Sequence, residues 1–339
     1  MVLPLTTERL VLRRFESADV EAFAVYRSAP AVARYQSWDV PFTVEMATAL
    51  ITGQAHMSGP VAGEWIQIAA DHDGDLVGDV AVGMGRDGRT ATIGYTLAPA
   101  FQGRGLAAEM VGAIVDALFE AGLHRVEATL DPRNIASARV VERLGFRFEG
   151  TAVSSVFDRG EWTDDARYAV LADARRRWRE RPLDPPADVR LVPITPETHR
   201  DVARLVTHET QTRFVATVAA SFGDALFPEL VDGAPAVPWY RLIEADGVSA
   251  GFVMLAEVTE HHPEAFLWRL LIDRWHQRRG IGTRVLGLLA DRLRAEGHTT
   301  LLVSWSQGVG GPEPFYLTHG FVPTGRLVDG HEIEARLPL

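Results

Sequence analysis

Apolar residues recur along this chain in two rhythms. Short runs alternate every second position, and longer runs repeat every three or four, the spacings of half-buried strands and of helices that bury one face. The first run, over 8–14 (ERLVLRR), reads as a strand. Ser17-Ala18-Asp19 then offers capping side chains for a helix. Helical spacing continues to about residue 60, broken by Pro30 and Pro41. Three consecutive strands are predicted over 65–70, 76–82 and 93–97, with turns at Asp73-Gly74 and Asp87-Gly88. Val111, Ile114, Val115 and Leu118 mark the next helix. A strand over 125–130, a helix over 135–144 and two strands over 146–158 and 162–171 follow, the last two joined at Arg159-Gly160-Glu161. A helical tail covers 172–181.

The order then recurs. A strand over 188–193 precedes a helix over 197–205, and strands over 240–245 and 250–257 form a hairpin around Asp246-Gly247. A strand over 266–272 leads to a helix carrying Val285, Leu288, Leu289 and Leu293, and a strand over 300–304 follows. Between the two series lies 182–187, with Pro182, Pro185 and Pro186. That density of proline reads as a linker. The expected organisation is therefore a domain at 1–181, a linker at 182–187 and a domain at 188–339.

A length of 339 residues fits two domains. Cysteine is absent. That excludes disulfides, thiolate metal ligands and a cysteine nucleophile, and it suits a cytoplasmic protein. No apolar run reaches the ~18 residues of a membrane span, and the start, MVLPLTTERL, has no secretion-signal pattern. Net charge is −11, which disfavours nucleic acid as a partner and favours cationic ligands. All 34 basic residues are arginine. His261-His262 lacks the spacing of a zinc pair, so no metal is expected.

The candidate chemistry lies where strand gives way to helix. In the first series this is Gln102-Gly103-Arg104-Gly105-Leu106-Ala107, and in the second Gln277-Arg278-Arg279-Gly280-Ile281-Gly282-Thr283. A helix start offers unpaired N–H groups and a partial positive charge, and glycine lets the backbone approach an anion. Neither loop has the Gly-Lys-Ser/Thr of the nucleoside-triphosphate loop, and the first lacks the third glycine of the dinucleotide fingerprint.

The pattern Gln/Arg-x-x-Gly-x-Gly/Ala after a strand resembles the pyrophosphate loop of the GCN5-related N-acetyltransferases (GNAT). Asn134-Ile135-Ala136-Ser137 followed by Leu144-Gly145-Phe146 makes the first half similar to the RimJ/RimL type. Gln211-Thr212-Arg213-Phe214-Val215 and Asp329-Gly330-His331-Glu332-Ile333 make the second half similar to the bacterial polyamine or diamine type. The resemblance implies an α/β fold of two tandem acyl-CoA N-acyltransferase domains, each a mixed, mostly antiparallel, splayed sheet flanked by helices. It implies acetyl-CoA as cofactor, held by the two loops, by the backbone of Leu97, Leu270 and Ile272, and by Asn134. In the second half Val309 stands where that Asn is usual, within the glycine-rich stretch 307–312.

Acetyl transfer from a thioester to an amine needs a polarised carbonyl, a neutral amine and help for the departing thiolate. The resemblance assigns the thiolate to Tyr316, four residues before Gly320, and to Ser137, eight before Gly145. Each half has one such hydroxyl, since Val141 and Pro312 occupy the reciprocal places. Packing and helix capping are the alternative roles for these two residues. Glu257, Glu260, His261, His262, Glu332 and Glu334 are the candidates for a proton acceptor. The expected activity is N-acetylation of a small primary amine: a polyamine, an aminosugar antibiotic or an amino-acid derivative. The alternatives are N-terminal acetylation of a protein, and a non-catalytic acyl-CoA-binding scaffold with one degenerate domain.

Overall fold

The computed structural model describes residues 1–231 and 233–339. The chain divides into two units, Met1–Glu180 and Arg181–Leu339.

In the first unit the strands are β1 (Leu5–Thr6), β2 (Val11–Arg14), β3 (Trp65–His72), β4 (Asp75–Met84), β5 (Thr90–Leu97), β6 (Arg125–Leu130), β7 (Arg147–Asp158) and β8 (Glu161–Leu171). The helices are α1 (Val20–Ser28), α2 (Pro30–Ala33), α3 (Val44–Gly53), α4 (Leu106–Glu120), α5 (Ile135–Arg143) and α6 (Ala172–Glu180). One sheet runs β1-β2-β3-β4-β5-β6-β8-β7. The expected first strand starts later than its alternation suggests, because Thr7 turns the chain: its Oγ1 and amide both bond to Leu10 O. Residues 17–19 form a 3-10 turn in which the Asp19 carboxylate accepts from the Glu16 amide. The core is built from Ile66, Ile68, Val80, Val82, Ile93 and Val126 of the sheet and Met110, Val111, Ile114, Val115 and Leu118 of α4.

All sheet neighbours are antiparallel except β5 and β6, which pair in parallel over Thr90↔Arg125, Ala91↔Val126 and Thr92↔Glu127. Beyond Thr92 the two strands part. β5 stays paired to β4 as far as Gly78↔Leu97, and β6 stays paired to β8. The gap therefore separates two sub-sheets that each remain fully bonded.

In the second unit the elements are β9 (Val189–Val192), α7 (His199–Val202), α8 (Val218–Leu226), the short pair β10 (Leu230–Val231) and β11 (Ala234–Pro235), β12 (Pro238–Ala245), β13 (Val248–Ala256), β14 (Ala265–Ile272), α9 (Ile281–Ala295), β15 (Thr300–Trp305), α10 (Glu313–Thr318), β16 (Val322–Val328) and β17 (Glu332–Pro338). The main sheet runs β16-β17-β15-β14-β13-β12-β9. Helix α7 has four residues where helical spacing predicts about nine. Helix α8, capped by Thr217, has no counterpart in the sequence reading. The parallel pair is β14 with β15, from Ala265↔Leu301 to Leu267↔Val303, and here too the strands then part. Val253, Leu255, Leu267 and Val303 pack on one face of the sheet with α9, while Phe252, Met254 and Leu271 pack on the other.

The proline-rich segment is bound to the second unit. Arg279 Nε donates to Asp184 O at 2.9 Å, and Arg284 Nη1 to Pro186 O at 2.6 Å.

Candidate active site

Both loops turn into their helices through a left-handed residue. Gly105 has φ 82° at the start of α4 and Gly280 has φ 73° at the start of α9. No side chain caps either helix, so the first-turn N–H groups remain available to an external anion. A Cβ built on Gly103 or Gly280 meets no atom within 4 Å. The space beside each loop is thus open, and the backbone there is one an L side chain rarely adopts. Gln102 Nε2 donates to Leu97 O at 3.0 Å, and Gln277 Nε2 to Ile272 O at 3.1 Å. The same glutamine in each unit ties the loop to the end of the parted strand.

The loops differ in their cations. Arg104 is exposed on the first loop, near Phe101 and His72. Its counterpart Arg279 is buried, with its guanidinium on Asp184 O and facing Asp246 at 3.5 Å. The exposed cation of the second loop is Arg278, which has φ 66° at the position where the first loop has Gly103. Leu106 and Ile281 are buried as the first core residues of their helices. Gly282 is small for a packing reason: a Cβ there would lie 3.1 Å from the Phe315 ring of α10. Ala107 occupies the equivalent place in the first unit. Thr283 bonds to His319 at 2.8 Å. His319 Nδ1 faces Phe315 O at 2.7 Å, and because a carbonyl can only accept, Nδ1 is the donor there.

Beside the first gap, Asn134 caps α5 by accepting from the Ser137 amide at 3.1 Å. Ser137 Oγ donates to Tyr95 Oη at 2.8 Å, and Tyr95 Oη donates to Ser137 O at 2.8 Å. Tyr95 lies on the part of β5 that has left β6 while still paired to β4, so this reciprocal pair links the parted strand to the start of α5. Burial pushes the Tyr95 phenol well above its ordinary range.

Beside the second gap, Tyr316 of α10 stacks on Trp305 with ring centroids 5.5 Å apart and 15° between planes. Phe315 and Phe321 meet its edges. Among the described residues nothing hydrogen-bonds its Oη, and burial raises its pKa. Trp305 Nε1 is likewise buried without a partner. Measured from the loop glutamines, Tyr95 and Leu270 are equivalent, both seven residues upstream. Each unit therefore has one phenol at its gap, from the strand in the first and from the helix in the second.

Uncapped left-handed helix starts, glutamine-tied loops and parted parallel strands, found twice, agree with what family models detect in the chain. The model described as "Acetyltransferase (GNAT) domain" matches residues 9–147, and "Acetyltransferase (GNAT) family" matches residues 203–321. The chain belongs to the GNAT acetyltransferase family. Its relatives include an uncharacterized N-acetyltransferase, YnaD of Bacillus subtilis, 35% identical over 50% of this chain and 97% of that protein. Protein p20 of Bacillus licheniformis, also described as an uncharacterized N-acetyltransferase, is 32% identical over 49% of this chain and 95% of its own length. Among solved structures, RimJ of Mycobacterium smegmatis in complex with CoA-disulfide is 26% identical, covering 50% of this chain and 88% of that one, with a TM-score of 0.45.

GNAT enzymes take their acetyl group from acetyl-CoA. The open, uncapped helix starts suit its pyrophosphate, on geometry seen in both units. The candidate proton acceptors separate by their partners. Glu257 is bound to Arg292 at 2.6 Å, and buried Glu334 to Arg326 at 2.8 Å. Glu260 and His261 are exposed, and the His262 amide closes a turn on Thr259 Oγ1. Glu332 is half-buried and is held by the hydroxyls of Ser304 and Ser306.

Tyr95 was not legible as a site residue, because an aromatic in an apolar strand reads as core. A second feature is also absent from the sequence reading. Asp79 of β4, 1% exposed, accepts from Tyr26 Oη at 2.5 Å and from Arg27 Nη2 at 2.9 Å. The Arg27 guanidinium lies over Phe23, Trp38 and Phe42, at 4.4, 4.1 and 5.1 Å from the ring centroids.

Among the described residues no helix is long and apolar enough to cross a membrane.

Proposed function

We propose that the chain transfers the acetyl group of acetyl-CoA to the primary amine of a small molecule, with a CoA site in each unit. The observation that carries the reading is that each open helix start leads directly to a gap with a hydroxyl beside it. In this reading the N–H groups at 103–107 and 278–283 hold the pyrophosphate, with Arg104 and Arg278 as the mobile cations. The backbone of Leu97, Leu270 and Ile272 orients the acyl arm, and Asn134 keeps the start of α5 in place beside it. Acetyl-CoA, when bound, supplies the activated thioester. Tyr316 and Ser137 would donate to the departing sulfur, each in its own unit. The other loop residues, Gln102, Gln277, Arg279, Leu106, Ala107, Ile281, Gly282 and Thr283, then act by shaping the loops.

A second reading holds for the first unit, where the Asn134, Ser137 and Leu144-Gly145-Phe146 pattern resembles the RimJ/RimL type. There the acceptor would be a protein N-terminus. The domain boundaries proposed are those of the sequence reading, with 182–187 as the connecting segment.

The test is a turnover screen with acetyl-CoA across diamines, aminosugars, amino-acid derivatives and N-terminal peptides, reading released thiol. Small amines are expected to turn over in a manner that Gly280→Ala or Gly105→Ala suppresses. Turnover confined to peptides would replace the first reading with the second, and thiol release by none of these acceptors would refute both.

A further inference from the structure

The two loops are braced by opposite chemistry. In the first unit the brace is the turn between β1 and β2. Thr7 Oγ1 donates to Glu109 Oε1 at 2.6 Å, and the Arg9 amide donates to the same oxygen at 2.8 Å. The Arg9 guanidinium takes the other oxygen, with Nε at 2.7 Å and Nη2 at 2.6 Å, while its Nη1 donates to Arg104 O at 2.9 Å. Glu109 lies in the first turn of α4, its own amide bonded back to Gly105 O. A Cβ on Gly105 would stand 3.6 Å from Arg9 Nη2. One arginine therefore touches the loop, the first-turn acid and the edge of the open helix start at once.

Burial opposes ionisation of Glu109, but the bonds from Thr7 and Arg9 outweigh it and hold the pKa below its ordinary value. The side chain is thus an anion at neutral pH. An acid in the first turn stabilises a helix, yet it sits at the end where an external anion would draw on the same partial positive charge. In the second unit the place seven residues after the loop glutamine belongs to Arg284 instead. Its Nη1 donates to Pro186 O at 2.6 Å and to Ala187 O at 3.1 Å, and the first turn of α9 holds no acid. The second loop is braced through carbonyls and has no charge to cancel. The first is braced through a carboxylate whose charge must be cancelled.

We propose that Arg9 is a positioning residue for the cofactor of the first unit: it neutralises Glu109 beside the loop, so that the open start of α4 stays attractive to phosphate. The assignment rests on the CoA-binding reading above and deepens it. Neutralisation rather than anchoring is the contribution of the guanidinium. The Thr7 hydroxyl and the amide at position 9 hold the carboxylate in place without it.

The test is isothermal titration of CoA into the full chain at low and at high salt. The wild type should show two sites. Arg9→Met leaves the Glu109 charge uncancelled and should weaken one site about 10- to 30-fold at low salt, with a smaller loss at high salt. Arg9→Met combined with Glu109→Gln should recover most of the affinity, since the amide oxygen of glutamine still accepts from Thr7 and from the amide at position 9. The site on the Gly280 loop should not change in either variant. A double variant as weak as Arg9→Met would show that the guanidinium only holds the loop, and wild-type binding by Arg9→Met would show that the Glu109 charge is not felt there. Either result overturns the proposal. A CoA site lost in Gly105→Ala but intact in Arg9→Met would leave the cofactor reading standing without Arg9. A wild type whose CoA binding is indifferent to Gly105→Ala would remove that reading for the first unit and the proposal with it.

Discussion

Helix α9 carries its own control for the role of the loop. Gly280 lies at its start with φ 73°, and Gly297 just past its end with φ 87°. A Cβ on either residue meets no atom within 4 Å. Alanine at either place therefore adds no clash and costs only the left-handed backbone, about 1–2 kcal/mol. The two variants should be destabilised alike. They differ in what the added methyl faces. At Gly297 the neighbouring bonds are the closing ones of the helix, Gly297 N to Arg294 O and His298 N to Leu293 O. At Gly280 it faces the uncapped N–H groups that the cofactor's phosphates would approach. Loss of one charge-assisted bond there is worth about 1.5–3 kcal/mol, or roughly 10- to 150-fold in affinity. Titration of CoA into the full chain, with chemical denaturation in parallel, measures both effects. Gly280→Ala should weaken one of two CoA sites while Gly297→Ala leaves both intact. Equal CoA affinities in the two variants, whether both weak or both normal, would refute the assignment of the loop. Gly105 and Gly122, with φ 82° and 95° at the two ends of α4, repeat the experiment in the first unit.

Four further outcomes are expected. Tyr316→Phe keeps the stack on Trp305 and should lower kcat of the second unit by ~10²- to 10⁴-fold, with CoA affinity unchanged by titration; full activity would make Tyr316 a packing residue only. Tyr95→Phe releases Ser137 Oγ from its partner, so its effect on kcat of the first unit should shrink in a Ser137→Ala background; additive effects would show that the pair does not act together. Asp79→Asn leaves the buried Arg27 cation without its anion, a loss of about 3–5 kcal/mol, and calorimetry of the full chain should show a transition lowered by roughly 6–20 °C. His208 is held neutral, with its pKa lowered to about 4 by burial and then by Arg274, Arg181 and Arg278. The unfolded ring takes up its proton near pH 6.5, so this contribution to stability is complete above that pH and lost as pH falls from about 6.5 towards 4; denaturation against pH should lose part of that slope in His208→Gln.

The repeat of strand, loop and helix was legible because it is carried by local rules: alternation, apolar spacing and glycine at left-handed turns. Gly103, Gly105 and Gly280 could be placed at helix starts from spacing alone. What was not legible depends on contacts between distant residues. The brevity of α7 is one case, since the helical spacing over 197–205 continues past the point where the chain leaves the helix. Arg278 and Arg279 are another. In sequence they are two equal cations, and it is the carbonyl of Asp184, 95 positions away, together with Asp246 that turns one of them inward. Glu332 and Glu334 likewise look equivalent until Arg326 covers one of them.

The two gaps also show why a residue type can persist at a site while its position in the chain does not. In the first unit a phenol on β5 reaches across to a serine at the start of α5. In the second, the equivalent strand position is Leu270, the serine's place is Pro312, and the phenol comes from α10 as Tyr316. Proline at the start of a short helix donates no N–H and has no hydroxyl to offer. The reciprocal bond of the first unit is therefore impossible in the second. Conversely, Val141 at the place of Tyr316 is fully buried in the first unit's core, where a phenol would add bulk and an unpaired hydroxyl. Exchanging one partner alone should gain nothing in either unit: Pro312→Ser supplies a hydroxyl with no Tyr95 equivalent to hold it, and Val141→Tyr overpacks the core beside Phe146. The informative variant is Leu270→Tyr with Pro312→Ser in a Tyr316→Phe chain. If the strand phenol and helix serine form a sufficient unit, this variant should recover part of the kcat lost with Tyr316. Recovery no greater than that of Pro312→Ser alone would show that the hydroxyl pair does not transfer between the two scaffolds.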